Sequence, residues 1–472
     1  MVTSKKTVAK APAKKVTAKK TVAKKAPAKT AAKAAAKKAP APAKSASAAG
    51  LRVRMYRVGF GDFFLVTVPT KAGPRYVLID CGVHAGNIGT MGQCVQDMAD
   101  YTKRKLALVI LTHYHADHIS GFATEAEAFK QFEVESVWIT NRLDPGNAAA
   151  KTTHLQVAAL AQHLQLALGA RSDEAGQQAL GMAQNALGVA GGSNDKALAV
   201  VTGGFKNKPD VRYYEAGQDP VLPKSLQGVL TAQILGPAPK SAAAQYTAAD
   251  NKAAQYLAAV ESAGPPEADP FSPFERHWPA QAGDYPPEAF KPWCDPAEME
   301  AALHGLQPDA LAAAAAVIDG TLNNQSLVVL FTCLGKKLLF VGDAQWGNWA
   351  YWLYGKPVSG QPPGISAEAR DILAGIDFYK VGHHGSTNAN PIPAVGALRL
   401  RCVGMCSTAD KCYNGVPKGP LLDALVERTA NQFVRSDWLA IGANKASPDA
   451  LKQLDKLPKN FTAGKVFIEY SF

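Results

Sequence analysis

The stretch LALVILT, Leu106–Thr112, is apolar up to its last residue and runs directly into His113-Tyr114-His115-Ala116-Asp117-His118. An apolar run of this length reads as a buried strand, so the chain must build layers around it. The histidine-rich segment at its end is of the opposite kind. Four ligand-type side chains fall within six positions, in a chain with 10 histidines among 472 residues. A single histidine is ordinarily a satisfied core or surface residue; four such groups at a strand's end indicate a metal site. Alternate residues of an extended segment point the same way, so His113 and His115 are expected to grip one ion. Asp117 and His118, on the turn after the strand, face a second. Imidazole and carboxylate suit zinc, manganese or iron.

The rest of the chain supplies layers. LRVRMYRV and FFLVTV read as strands joined at Gly59-Phe60-Gly61, and RYVLID (Arg75–Asp80) as a third. Met91–Thr102 reads as a helix, Val134–Thr140 as a strand, Ala148–Leu187 as a helical pair and Ala242–Ala263 as a helix. VRYYEAG and GVLTAQILGP return to strand. SLVVLFTC and KKLLFVGD form a hairpin turning at Gly335-Lys336, and IDFYKVG and KVFIEYSF add further strands. Two groups of strands, each followed by helices, predict an α/β fold of two stacked mixed sheets with helices outside. The domain covers residues 51–472, with inserted segments at about 142–320. Pro265–Trp293, rich in proline and aromatics, reads as an irregular surface loop, with a lid over the site as the functional alternative.

Composition settles where the charge lies. The formal net charge is +12, yet residues 1–50 hold fourteen lysines, no arginine and no acid. The remainder therefore sums to about −2 (12 minus 14). KKTVAK occurs at Lys5–Lys10 and again at Lys19–Lys24. Such a Lys/Ala/Pro segment has too little apolar surface to offset its ordering entropy and is expected to be disordered. Lysines such as Lys5, Lys6, Lys14, Lys15, Lys19, Lys20, Lys24 and Lys25 are expected to bind nucleic acid through counterion release, without reading sequence. The bland alternative is a solubilising tail, or one that binds any polyanion. The arm resembles the tails of linker histones and of some bacterial nucleoid proteins, which implies a nucleic-acid partner. Seven scattered cysteines form no disulfide framework. No apolar run is long enough to cross a membrane, and the N-terminus has no apolar core of a secretory signal. The expected location is cytoplasmic, with nucleoid association through the arm.

THYHADH matches the H-x-H-x-D-H signature of the metallo-β-lactamase superfamily, and the other signatures come in order: Asp80 in LIDCG, Asp343 in LLFVGDAQ, and His383 or His384 in KVGHHGS. The chain thus resembles that superfamily from about Leu51 past Asn390, which implies an αββα sandwich and a centre of two divalent ions, zinc or manganese. YRVGFGDFFLV, LNNQSLVVLF and KVGHHGS are similar to the ComEC/Rec2-type DNA-uptake proteins. The chain departs from these in lacking a membrane channel, in having Phe60 where glutamine is usual, and in showing no third-motif histidine. His154, His163, His277 and His304 lie in that interval without a recognisable context.

The resemblance implies His113, His115, Asp117, His118, Asp343 and His383 as metal ligands. The first ion would be held by His113, His115 and Asp343, with water or an Asn324 or Ser326 contact completing its shell. Asp80 would orient a ligand histidine. Asp117 would also accept a proton, and His384 would protonate the leaving oxygen, although the two neighbouring histidines are interchangeable on sequence alone. Ser386 and nearby amides would hold a phosphate. Two cations about 3.5–4 Å apart would share a hydroxide that attacks phosphorus or carbonyl carbon. Such a centre serves several chemistries; the subgroup resemblance and the arm favour a phosphodiesterase or nuclease. The alternatives are a hydrolase of a small ester, lactone or phosphoester, and a non-catalytic nucleic-acid binder.

Overall fold

A computed structural model describes residues 50–84, 90–188, 194–246, 250–256, 308–355, 364–409, 412, 416–438 and 457–472. The chain divides into residues 1–47 and residues 48–472, and the described residues all lie in the second unit. The lysine arm, the candidate lid at Pro265–Trp293, His277 and His304 fall outside them.

The strands in chain order are β1 (Arg52–Tyr56), β2 (Phe64–Val68), β3 (Arg75–Ile79), β4 (Lys105–Leu111), β5 (Glu133–Thr140) and β6 (Asp210–Tyr214). They continue with β7 (Leu230–Gly236), β8 (Val328–Cys333), β9 (Lys336–Phe340), β10 (Phe378–Lys380), β11 (Val403–Cys406), β12 (Phe433–Arg435), β13 (Phe461–Ala463) and β14 (Phe467–Ser471). Among the described residues one sheet runs β13-β14-β1-β2-β3-β4-β5-β6 and the other β12-β11-β10-β9-β8-β7. Both are mixed: β3 to β6 and β9 to β12 pair in parallel, while β1–β2, β7–β8 and β8–β9 are antiparallel.

β4 explains the layering. Leu108 and Ile110 face the second sheet, in a core with Trp138, Phe331 and Phe340. Leu106, Val109 and Leu111 face outward, onto Cys94, Val95 and Met98 of the helix Met91–Thr102 and onto Ile119 and Phe122. A strand covered on both faces reads as a continuous apolar run rather than an alternation. The helices Trp346–Tyr354, Ala367–Ala374 and Gly419–Arg428 bury Trp349, Leu353, Leu373, Leu421 and Leu425 in the core that includes the second sheet. The result is the αββα arrangement expected from the sequence.

Several details differ from that expectation. The hairpin between β8 and β9 turns at Leu334-Gly335, both with left-handed backbone (φ 50° and 73°), as a two-residue turn of matching twist requires. Among the described residues of the range Ala242–Ala263, Ala243–Tyr246 is helical and Lys252–Ala254 forms one 3₁₀ turn; residues 247–249 and 257–263 lie outside them. As the sequence predicts, the interval 142–320 contains two strands, β6 and β7, one in each sheet, alongside helices Ala148–Leu168, Glu174–Leu187 and Pro308–Asn323 with a small core of their own.

Candidate metal centre

The parallel strands of both sheets end at one place, where ligand sites of open α/β sheets form. β3 is followed by Asp80, β4 by Thr112 and His113, β9 by Gly342 and Asp343, β10 by the loop at His383 and His384, and β11 by Ser407. The segment after β4 is extended only through His115. Asp117 and His118 lie in the first turn of a nine-residue helix, Ala116–Thr124, not on a simple turn. A carboxylate there is favoured by the helix dipole. The helix start sits so close to the loop after β3 that a Cβ on Gly82 would lie 2.4 Å from the Asp117 carbonyl carbon and the His118 nitrogen.

Asp80 adopts φ 56°. Its carboxylate accepts from Thr112 N at 2.8 Å and Thr112 Oγ1 at 2.7 Å, and lies 2.7 Å from His118 Nδ1. That contact leaves His118 Nε2 directed at Asp343 Oδ2, 2.9 Å away. His113 Nε2 lies 3.1 Å from His115 Nδ1. Asp343 takes a backbone brace from Ser326, whose Oγ accepts from Asp343 N at 3.1 Å. Its Oδ1 accepts from His383 N at 3.1 Å.

The adjacent histidines, both in left-handed backbone, part company here. His384 is fully buried; its Nδ1 donates to Ser407 O at 2.8 Å, and its Nε2 stands 3.1 Å from Asp117 Oδ2 and 3.4 Å from Asp343 Oδ2. His383 keeps 16% of its side chain exposed and reaches Asp343 Oδ2 only at 3.9 Å. The geometry therefore gives the inner place to His384 and the outer one to His383, a choice the sequence left open. Nothing in the spacing of two consecutive histidines could have separated them.

One ligand atom each from His113, Asp117, His118 and Asp343 lies within 4.8 Å of the others. Four buried atoms here, Asp117 Oδ1, His118 Nε2, Asp343 Oδ2 and His115 Nε2, make no hydrogen bond of acceptable geometry, although His118 Nε2 and Asp343 Oδ2 face each other as an ion pair at 2.9 Å. Orphaned buried polar atoms are costly, and their convergence is what a divalent ion would satisfy. Electrostatics point the same way. Burial alone would lower the His384 pKa, but Asp343 and the hydrogen bond to Asp117 raise it to about 10. Burial likewise opposes the charge on His118, and Asp343, Asp80, Asp117 and Asp62 raise it well above the usual imidazole range. Both imidazoles thus face carboxylates that favour positive charge at this place. His115, by contrast, is lowered to about 4 by burial, which keeps it neutral as metal binding requires.

The remaining expected residues are placed less centrally. Ser386 Oγ donates to Asn388 Oδ1 at 2.8 Å, at the rim of a cleft of about 230 Å³ also lined by Phe60, Asp319, Gln345 and His383. Asn324 turns away, accepting from Asn348 N at 3.0 Å; it is its neighbour Asn323 that faces His115, with Oδ1 2.9 Å from Nδ1. His154 packs on the Tyr114 ring, centroids 4.4 Å apart, and lies 3.4 Å from Asp195.

Sequence reasoning passed over four residues. Lys380 is buried, paired with Asp62 and 3.3 Å from Asp343 Oδ1. Asp62 comes directly after the Gly59-Phe60-Gly61 turn, and Lys380 interrupts an apolar strand just before the histidine loop, so both carried a local signal: a charge that the pattern buries. Asp319 and Asn323 carried none, being polar positions in an alanine-rich helix. Burial, then Asp117 and Asp343, push the Asp319 carboxyl up to about 8.

Residues 57–131, which contain Asp62, Asp80 and the whole histidine cluster, match the model of the metallo-beta-lactamase superfamily. No curated protein matches the chain. That local similarity, the two-sheet sandwich consistent with the metallo-beta-lactamase fold and the buried His/Asp cluster together suggest divalent metal binding, in a family whose members are usually hydrolases.

Proposed function

We propose that this is a metal-dependent phosphodiesterase acting on nucleic acid. The observation that carries the hydrolytic part is the convergence of buried ligand atoms of His113, Asp117, His118 and Asp343 within 4.8 Å of one another, among which Asp117 Oδ1, His118 Nε2 and Asp343 Oδ2 make no hydrogen bond. In this reading Asp117, His118 and His384 hold one ion, His113 and His115 hold the other, and Asp343 serves both. Bound divalent ions supply Lewis acidity and activate water at neutral pH.

The chain's own residues do the rest. Asp80 fixes His118 through Nδ1, and the Ser407 carbonyl fixes His384 through its own Nδ1, so each presents Nε2 inward. Lys380, clamped by Asp62, holds Asp343 against the charge of its neighbours. In this reading His383, which lines the cleft, would hand a proton to a leaving oxygen. Ser386 and the backbone around it line the rim where a phosphate would sit.

The nucleic-acid part rests on the lysine-rich first fifty residues, which would concentrate a polyanion near the site at low salt. The test is to incubate the full chain with Mn²⁺ or Zn²⁺ and linear, circular and single-stranded DNA and RNA, with EDTA controls. Cleavage that His115→Ala and Asp343→Ala reduce to the EDTA background supports the reading. No cleavage of any nucleic acid, beside turnover of an aryl ester or lactone, overturns it.

A further inference from the structure

The sequence shows no third-motif histidine, and of the described histidines in that interval His154 is occupied by Tyr114 and Asp195. We propose that the helix Pro308–Asn323 supplies the remaining corner of the first ion's shell, with Asn323 Oδ1 as the donor and Asp319 as the residue that fixes it. This rests on the reading that His113 and His115 hold an ion.

The donor positions fit. His113 Nε2 lies 3.1 Å from His115 Nδ1, and His115 Nδ1 lies 2.9 Å from Asn323 Oδ1. Nitrogen and oxygen donors about 2.1 Å from a shared ion stand roughly 3.0–3.4 Å from one another. The Asn323 side chain is fully buried, and its orientation is determined. Nδ2 donates to Asp319 Oδ2 at 2.8 Å; an amide that points its NH₂ at a carboxylate must turn its oxygen the other way, here toward His115.

Asp319 and Asn323 are four residues apart and so share one face of the helix. Asp319 lies about one turn from the helix C-terminus, where a carboxylate is electrostatically disfavoured. It is only 13% exposed, and its Oδ1 lies 3.8 Å from the otherwise unpartnered His115 Nε2. A helix that merely packed on the site would gain nothing from a carboxylate there. A helix that completes a cation's shell gains both an oriented oxygen and negative charge. Each ion position would then offer two imidazole nitrogens and two oxygens, a set that suits Mn²⁺ better than a three-histidine corner would.

The experiment loads the full-length chain with Mn²⁺ or Zn²⁺, removes free metal by gel filtration, and counts bound ions per chain by plasma mass spectrometry. Asn323→Ala and Asp319→Ala are expected to retain one ion fewer than the unaltered chain, with unchanged circular dichroism, while Asn323→Asp keeps an oxygen and retains the full number. A second readout does not depend on the alanine variants folding: in the Co²⁺-loaded protein, Asn323→Asp should shift the visible ligand-field bands. Equal ion counts in unaltered chain and variants, or an unchanged Co²⁺ spectrum, overturn this inference alone. An unaltered chain that retains no ion overturns the metal reading itself, and this inference with it.

Discussion

Asp80 holds a left-handed backbone conformation that costs a non-glycine residue about 1–3 kcal/mol, and it is kept there because its carboxylate binds Thr112 twice and His118 once. Asp80→Asn should therefore leave the fold intact and weaken metal retention roughly 10–100-fold, measured by competition with a chelating dye; retention equal to the unaltered chain would remove Asp80 from the centre. Gly82 is constrained by contact, not by φ. Gly82→Ala drives a methyl into the start of the helix Ala116–Thr124, with an expected loss of about 3 kcal/mol in urea unfolding. At this scale the histidine cluster was legible because it is local: spacing alone brings His113, His115, Asp117 and His118 together. His384 over His383, and Asn323 over Asn324, were not legible, because each choice depends on which side chain a loop or helix end turns inward.

Strands were read closely where each is a self-contained apolar run, and β4 and β5 lie within one residue of their expected bounds. Their neighbours were not legible. β14, at the chain's end, pairs with β1 more than four hundred residues earlier, and the pairing is pinned by Arg54. Its guanidinium lies against the rings of Tyr101 and Phe467, 3.9 and 3.6 Å from their centroids, and its Nε donates to Glu469 at 2.9 Å. Both charged side chains are buried. Glu469→Ala leaves Arg54 without that partner, and equilibrium unfolding should show a loss of about 3–5 kcal/mol. A change under 1 kcal/mol would mean that Asp97, 2.7 Å from Arg54, suffices by itself.

For the whole molecule, the two-sheet sandwich was legible because the order of strand groups and helices leaves few ways to bury apolar faces. How the helices of the 142–320 interval contribute to the site was not, since Asp319 and Asn323 meet His115 across some two hundred residues of chain. The arm adds a separate prediction. Binding of the full chain to DNA should weaken steeply with salt, and a chain starting at Leu51 should lose most of that affinity and of the salt slope while keeping its metal. Equal affinity of the two chains in low salt would sink the tether.

The central claim is that carboxylates and imidazoles at the ends of the parallel strands hold divalent cations. Metal analysis of the purified full-length chain, dialysed against metal-free buffer after loading with Zn²⁺ or Mn²⁺, tests it most directly. The account predicts two tightly retained ions per chain and their loss in Asp343→Ala with the fold preserved by circular dichroism. Retention of no ion by the unaltered chain, or full retention by Asp343→Ala, would contradict it.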